Sequence, residues 1–77
     1  MKSNEVNKSL IGRRVKGMCF GEMVAGTIYS IETNDHAVYV FFHLDVPLCW
    51  GGNWYHFGQA WARKADEFGS LHHMELI

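Results

Sequence analysis

One proline, two cysteines and no long apolar run mark this 77-residue chain. A membrane-crossing helix needs about 18 consecutive apolar residues, and Gly, Thr, Ser, His or Asp breaks each apolar stretch here within about ten, so no spanning helix is expected. Cys19 and Cys49 are too few for the dense disulfide framework of a secreted mini-protein. They are read as free thiols buried as small hydrophobes, with a single bridge between them as the alternative. The opening MKSNEVNKSL has neither a continuous apolar core nor a small-residue cleavage site, so no signal peptide is expected and the default location is cytoplasmic. Charge is sparse too, at 19% of residues and a net −1, which argues against strong non-specific affinity for polyanions. Catalytic motifs are missing: no serine, cysteine or carboxylate sits in a pattern that would activate it as a nucleophile.

What is abundant is apolar and aromatic surface, 48% and 14% of the residues. A domain of this size hides only about 60% of its unfolded surface, so some of these side chains are expected at an interface. Residues 1–9 are polar and without periodicity and are expected to form a flexible arm, leaving residues 10–77 as one small domain. Within it GRRVKGMCF suits a first strand ending at Phe20-Gly21, and MVAGTIYSIET suits a second. Gly26, inside that second strand, signals a bulge or a close backbone approach. Asn34-Asp35-His36 reads as a turn, followed by a third strand, AVYVFFHLD, ended by Pro47. Cys49-Trp50-Gly51-Gly52 reads as a flexible loop, and NWYHFG as a fourth strand. Trp61, Ala65 and Phe68 recur at helical spacing, which predicts one to three helical turns within residues 59–68 capped by Gly69. Leu71 to Ile77 reads as a closing strand.

Four strands, a short helix or helical turn and a last strand make a mainly β fold. Gly12-Arg13-Arg14-Val15 opening the first strand, Gly21-Glu22 and Gly26-Thr27-Ile28 in the second, and a turn leading into Met74-Glu75-Leu76 resemble the Src-homology-3-like small barrel of KOW and Tudor-type modules. The resemblance covers about Leu10 to Ile77 and implies a five-stranded barrel. The plasmid-encoded type II dihydrofolate reductases, also short, open with a similar glycine-arginine-valine strand. Their Val-Gln-Ile-Tyr active-site segment has no counterpart here, so their chemistry is not carried over. The chain also looks like small orphan proteins of phages and integron cassettes.

Three sets of residues are candidates for function. In the third strand both alternating faces are apolar, Val38, Val40, Phe42 and Leu44 against Ala37, Tyr39, Phe41 and His43, which half-exposed antiparallel strands avoid. One face fills the interior, and the other, with Tyr29, Tyr39 and Phe41, is expected to bind a second copy of the chain. Five aromatics fall within the segment 50–61 around a Gly-Gly pair, and Trp50, Trp54, Tyr55 and His56 are the candidate ligand-binding residues for a cationic, planar or proline-rich protein segment or small molecule. Residues 1–20 carry +4 and residues 21–77 carry −5, so Arg13, Arg14 and Lys16 are candidates for phosphate contact. Cross-strand pairing with acidic neighbours is the competing account of those charges. His36, His43, His56, His72 and His73 with Cys19 and Cys49 lack the close ligand pairs of zinc sites, so no metal and no cofactor is expected. The favoured reading is a non-enzymatic binding or assembly module that self-associates. The alternatives are a nucleic-acid-binding barrel and a small oligomeric enzyme or small-molecule binder with a pocket at the subunit junction.

Overall fold

Two tight turns set the register of the sheet. The Asn34 side-chain oxygen accepts from the amides of His36 and Ala37 at 2.8 and 2.9 Å, and the Asn34 amide donates to the Ala37 carbonyl. This side-chain-to-backbone bonding is the reason Asn favours turns. At the other end Gly51 and Gly52 have φ of 60° and 80°. A two-residue hairpin of the type whose twist matches its strands needs positive φ at both positions, and here it sets Trp50 opposite Asn53.

The computed structural model describes residues 1–19 and 21–77, so the Phe20 end of the expected first strand lies outside the described residues. Among the described residues the strands are β1 (Arg14–Cys19), β2 (Glu22–Thr33), β3 (Ala37–Trp50), β4 (Asn53–Arg63) and β5 (Glu75–Leu76). They form one antiparallel sheet in the order β4-β3-β2-β1-β5, so the mainly β reading holds. Short 3-10 turns lie at Ser3–Glu5, Lys8–Leu10 and Ser70–His73. No helix among the described residues is long and apolar enough to cross a membrane.

Three boundaries differ from expectation. Residues 59–63 are the second half of β4 rather than a helix. Ala60 and Ala62 face inward beneath Val40 and Val38 while Gln59, Trp61 and Arg63 alternate outward, a period of two that outweighs the helical spacing of Trp61, Ala65 and Phe68. The chain makes only one turn beyond Arg63, with the Glu67 amide on the Arg63 carbonyl, and Glu67 at φ 58° ends it. The helical turn before the last strand is instead Ser70–His73, which shortens that strand to Glu75–Leu76. Pro47 does not end β3. It falls where the β3–β4 ladder is interrupted between His43 and Leu48, the kind of position where a residue without an N–H is tolerated, and Cys49 and Trp50 resume the strand instead of forming a loop.

The inner face buries Val15, Ile28, Val38, Val40, Phe42, Leu44, Ala60 and Ala62, and Leu10, Leu71 and Met74 close over them. Gly26 lies so close to the His43 carbonyl that a Cβ there would overlap it, the close approach expected of this glycine. Met1, Val6 and Leu10 pack against or within the same core. The Met1 nitrogen donates to the Met74 carbonyl at 2.7 Å, and Ser3 is buried, its amide and hydroxyl donating to the Glu67 carboxylate at 3.0 and 2.6 Å.

Those two bonds from Ser3 hold the Glu67 carboxyl below its ordinary value of 4.5. A carboxylate whose pKa is depressed by folding contributes stability above its unfolded pKa and loses it as pH falls through the folded one. Protection of the Ser3 amide, its exchange relative to the intrinsic rate at the same pH, is therefore expected to hold at neutral pH and to fall on acidification below the ordinary glutamate range. In Glu67→Gln that acid-dependent step should vanish from the Ser3 exchange profile. An unchanged step in the variant would assign it to Asp45 or Asp66, whose pKa values are also lowered, by Arg14 and chiefly by the Phe68 amide respectively.

Candidate functional site

The outward face of β2, β3 and β4 gathers aromatic rings. Register places Thr27, His43 and Phe57 in one row across the strands, then Ser30, Phe41 and Gln59, then Glu32, Tyr39 and Trp61. Between Ile28 and Ser30 the β2 register shifts, so that Tyr29 is the extra residue of a bulge, a device that re-aims a side chain. The Tyr29 ring meets three others, with centroids at 5.0 Å from His43, 5.6 Å from Phe57 and 6.4 Å from Phe41. His43 and Phe57 are 4.5 Å apart. Edge-to-face and tilted arrangements at these separations are the favoured geometry for aromatic pairs.

This cluster remains open to solvent: Phe57 is 52% exposed and Tyr29 43%, while Phe41 is half-buried. A groove of about 530 Å3 runs beside it, lined by Met18, Tyr29, Phe41, Phe57, Gln59 and Ser70 among others, none of them charged. Tyr39, two residues from Phe41 on the same face, borders a different groove with Val6 and Ile31. Tyr29 and Phe41 are thus brought together and Tyr39 stands apart from them. Next to Tyr39, the Trp61 and Phe68 rings pack at 6.1 Å with the Arg63 guanidinium 4.7 Å from the Phe68 ring centre.

Trp50, Trp54, Tyr55 and His56 lie on the β3–β4 hairpin. Beyond Leu44 the strand β3 no longer pairs with β2, and the hairpin continues as a two-stranded ribbon with Trp50 54% and Trp54 66% exposed. His56 is exposed and Tyr55 half-buried. The groove beside β4 is lined by other residues. Because Trp50 is more than half exposed, Trp50→Ala is expected to cost less than about 1 kcal/mol rather than the ~3–5 kcal/mol of a core aromatic. Thermal unfolding of that variant checks this, and a large fall in melting temperature would make Trp50 structural.

The three basic candidates lie along β1 and its approach. Arg14 forms a bidentate pair with Asp45 and touches the Thr27 hydroxyl, and this pairing raises its pKa while lowering that of Asp45. Lys16 lies 3.8 Å from Glu75, its neighbour across the β1–β5 ladder. Cross-strand pairing therefore engages two of the three charges. Arg13 is exposed. Cys19 is half-buried and Cys49 exposed, both as free thiols, and burial pushes the Cys19 thiol pKa up. His72 and His73, within the segment read as a closing strand, instead lie in the 3-10 turn with their rings tilted and 3.9 Å apart. Among the described residues no three His, Cys, Asp or Glu side chains are grouped to hold a metal ion.

Sequence reasoning reached Tyr29, Phe41 and the apolar outer face of β3. It missed Phe57 and His43 as members of the same cluster, although both lie at strand positions that alternate with inward residues. A family model described as a domain of unknown function, DUF7258, matches residues 1–76, and the chain belongs to that family. No curated protein and no solved structure matches it.

Proposed function

We propose that this member of the DUF7258 family is a non-enzymatic binding or assembly module that self-associates through the aromatic outer face around Tyr29 and Phe41, with Tyr39 at its margin. The observation that carries the reading is the four-ring cluster of Tyr29, Phe41, His43 and Phe57, which packs tightly yet stays open to solvent. Large exposed apolar patches mark interaction sites more often than idle surface, and aromatic residues are the usual anchors of protein interfaces. A stable interface takes about 800 Å2 from each partner, roughly one-sixth of the 4961 Å2 surface of this chain. The ring cluster with its adjoining groove offers an apolar centre for such a contact.

β5 lies beside β1, a 3-10 turn precedes β5, and Met18 of β1 shares a groove with Gln59 of β4 although these strands are far apart in the sheet order. A sheet curled in the manner of the Src-homology-3-like barrel accounts for all three. The nucleic-acid alternative draws less support, because Arg14 and Lys16 already face carboxylates. Native mass spectrometry at micromolar concentration tests the favoured reading: a dimer or larger species is expected, and only a monomer would reject it.

A further inference from the structure

The sheet has two edges, and they differ in how they are guarded. The β5 edge is two residues long and carries Glu75, opposite Lys16. The β4 edge is eleven residues long. Its last part is sealed: the Trp61 amide donates to the Ser70 hydroxyl at 3.3 Å and the Arg63 amide to the Phe68 carbonyl at 2.8 Å. Backbone amides of an edge strand alternate between its neighbour and the outside, so Gln59 and Phe57, two and four residues earlier in an unbroken register, point their amides to the same outer side. Among the described residues no neighbouring strand lies beyond them.

Edge strands are ordinarily protected by lysine, inward charge or proline. Between Asn53 and Ala62 there is no Asp, Glu, Lys, Arg or Pro, and the groove beside Phe57 and Gln59 is uncharged throughout. A two-fold axis sets each residue near its own copy, so a charged edge strand repels itself, whereas this one does not. We propose that two copies of the chain pair antiparallel through their β4 edges around Phe57–Gln59, joining the two sheets and laying the two ring clusters side by side. This rests on the self-association proposed above and adds to the ring face a contact between strand edges. The occupant is a second copy because the outward half of β4 is itself the uncharged, aromatic strand that such a groove accepts, with Phe57 52% exposed at its centre.

Amide hydrogen exchange of the wild-type chain, followed residue by residue across a concentration series with light scattering in parallel, tests the pairing. Exchange at Phe57 and Gln59 is expected to slow several-fold as the dimer fraction rises, while Trp61 and Arg63, already bonded within the chain, stay unchanged. A dimer whose Phe57 and Gln59 amides exchange at a concentration-independent rate would overturn the edge pairing and leave self-association by the ring face standing. A chain that stays monomeric throughout would overturn both. Gln59→Lys, at an exposed position, sets two lysines together near the axis and is expected to weaken the dimer about tenfold with the sheet intact by circular dichroism. An unchanged dimer in that variant would also refute the pairing.

Discussion

Phe42→Ala is expected to cost about 3–5 kcal/mol, a large part of the ~5–15 kcal/mol that holds a typical domain folded. Phe42 is 1% exposed at the centre of β3, opposite Ile28 on one side and Gly58 on the other. Its ring lies directly over Gly58, close enough that a Cβ at that position would overlap it. A glycine has no side chain to move into the space the ring would vacate, and the backbones of β2 and β4 are fixed by their ladders. The void therefore stays open, and the cost falls at the upper end of the range for such truncations. Equilibrium denaturation in urea measures it; a loss below about 1 kcal/mol would mean that Phe42 is not the centre of the core.

Phe41→Glu, one residue away, is expected to act on association instead. Phe41 lies on the opposite face, half-buried beside Tyr29, so a carboxylate there can still reach water in the isolated chain. Within an interface the same carboxylate would be desolvated without a partner, which costs several kcal/mol, equivalent to at least about a hundredfold weaker self-association. The expected contrast between neighbours follows from a strand that is apolar on both faces: position 42 lies in the core, and position 41 lies on the face proposed for self-association. Light scattering and thermal unfolding of the two variants separate these effects. Should Phe41→Glu remain as associated as the wild type, the aromatic face would not be the interface.

The alternation in Ala37 to Leu44 made β3 and its two apolar faces readable from sequence, and the Asn34 turn was legible because its backbone chemistry is local, whereas Gly51-Gly52, read as part of a flexible loop, closes a tight hairpin. The second half of β4 was not, since Gly58, Ala60 and Ala62 are small residues whose inward role depends on what lies above them, Phe42, Val40 and Val38. Small residues carry weak strand preference, and the spacing of Trp61, Ala65 and Phe68 then imitates a helix. The interruption of the β3–β4 ladder around Pro47 is equally a tertiary matter: a proline reads locally as an end, yet a ribbon can continue past it. Tyr29 was legible as an outer-face residue. Its contact with His43 and Phe57 follows from a bulge at Ile28/Ser30 that no residue there announces. The Lys16–Glu75 pair followed the cross-strand rule that competed with the phosphate reading, whereas Arg14 reaches past Thr27 to Asp45 two strands away.

Sedimentation equilibrium of the wild-type protein from low micromolar to submillimolar concentration probes whether copies of this chain meet through the exposed ring cluster. A reversible rise in mean mass from one chain to two is expected across that range. A mass that stays at 8.8 kDa at every concentration would contradict it.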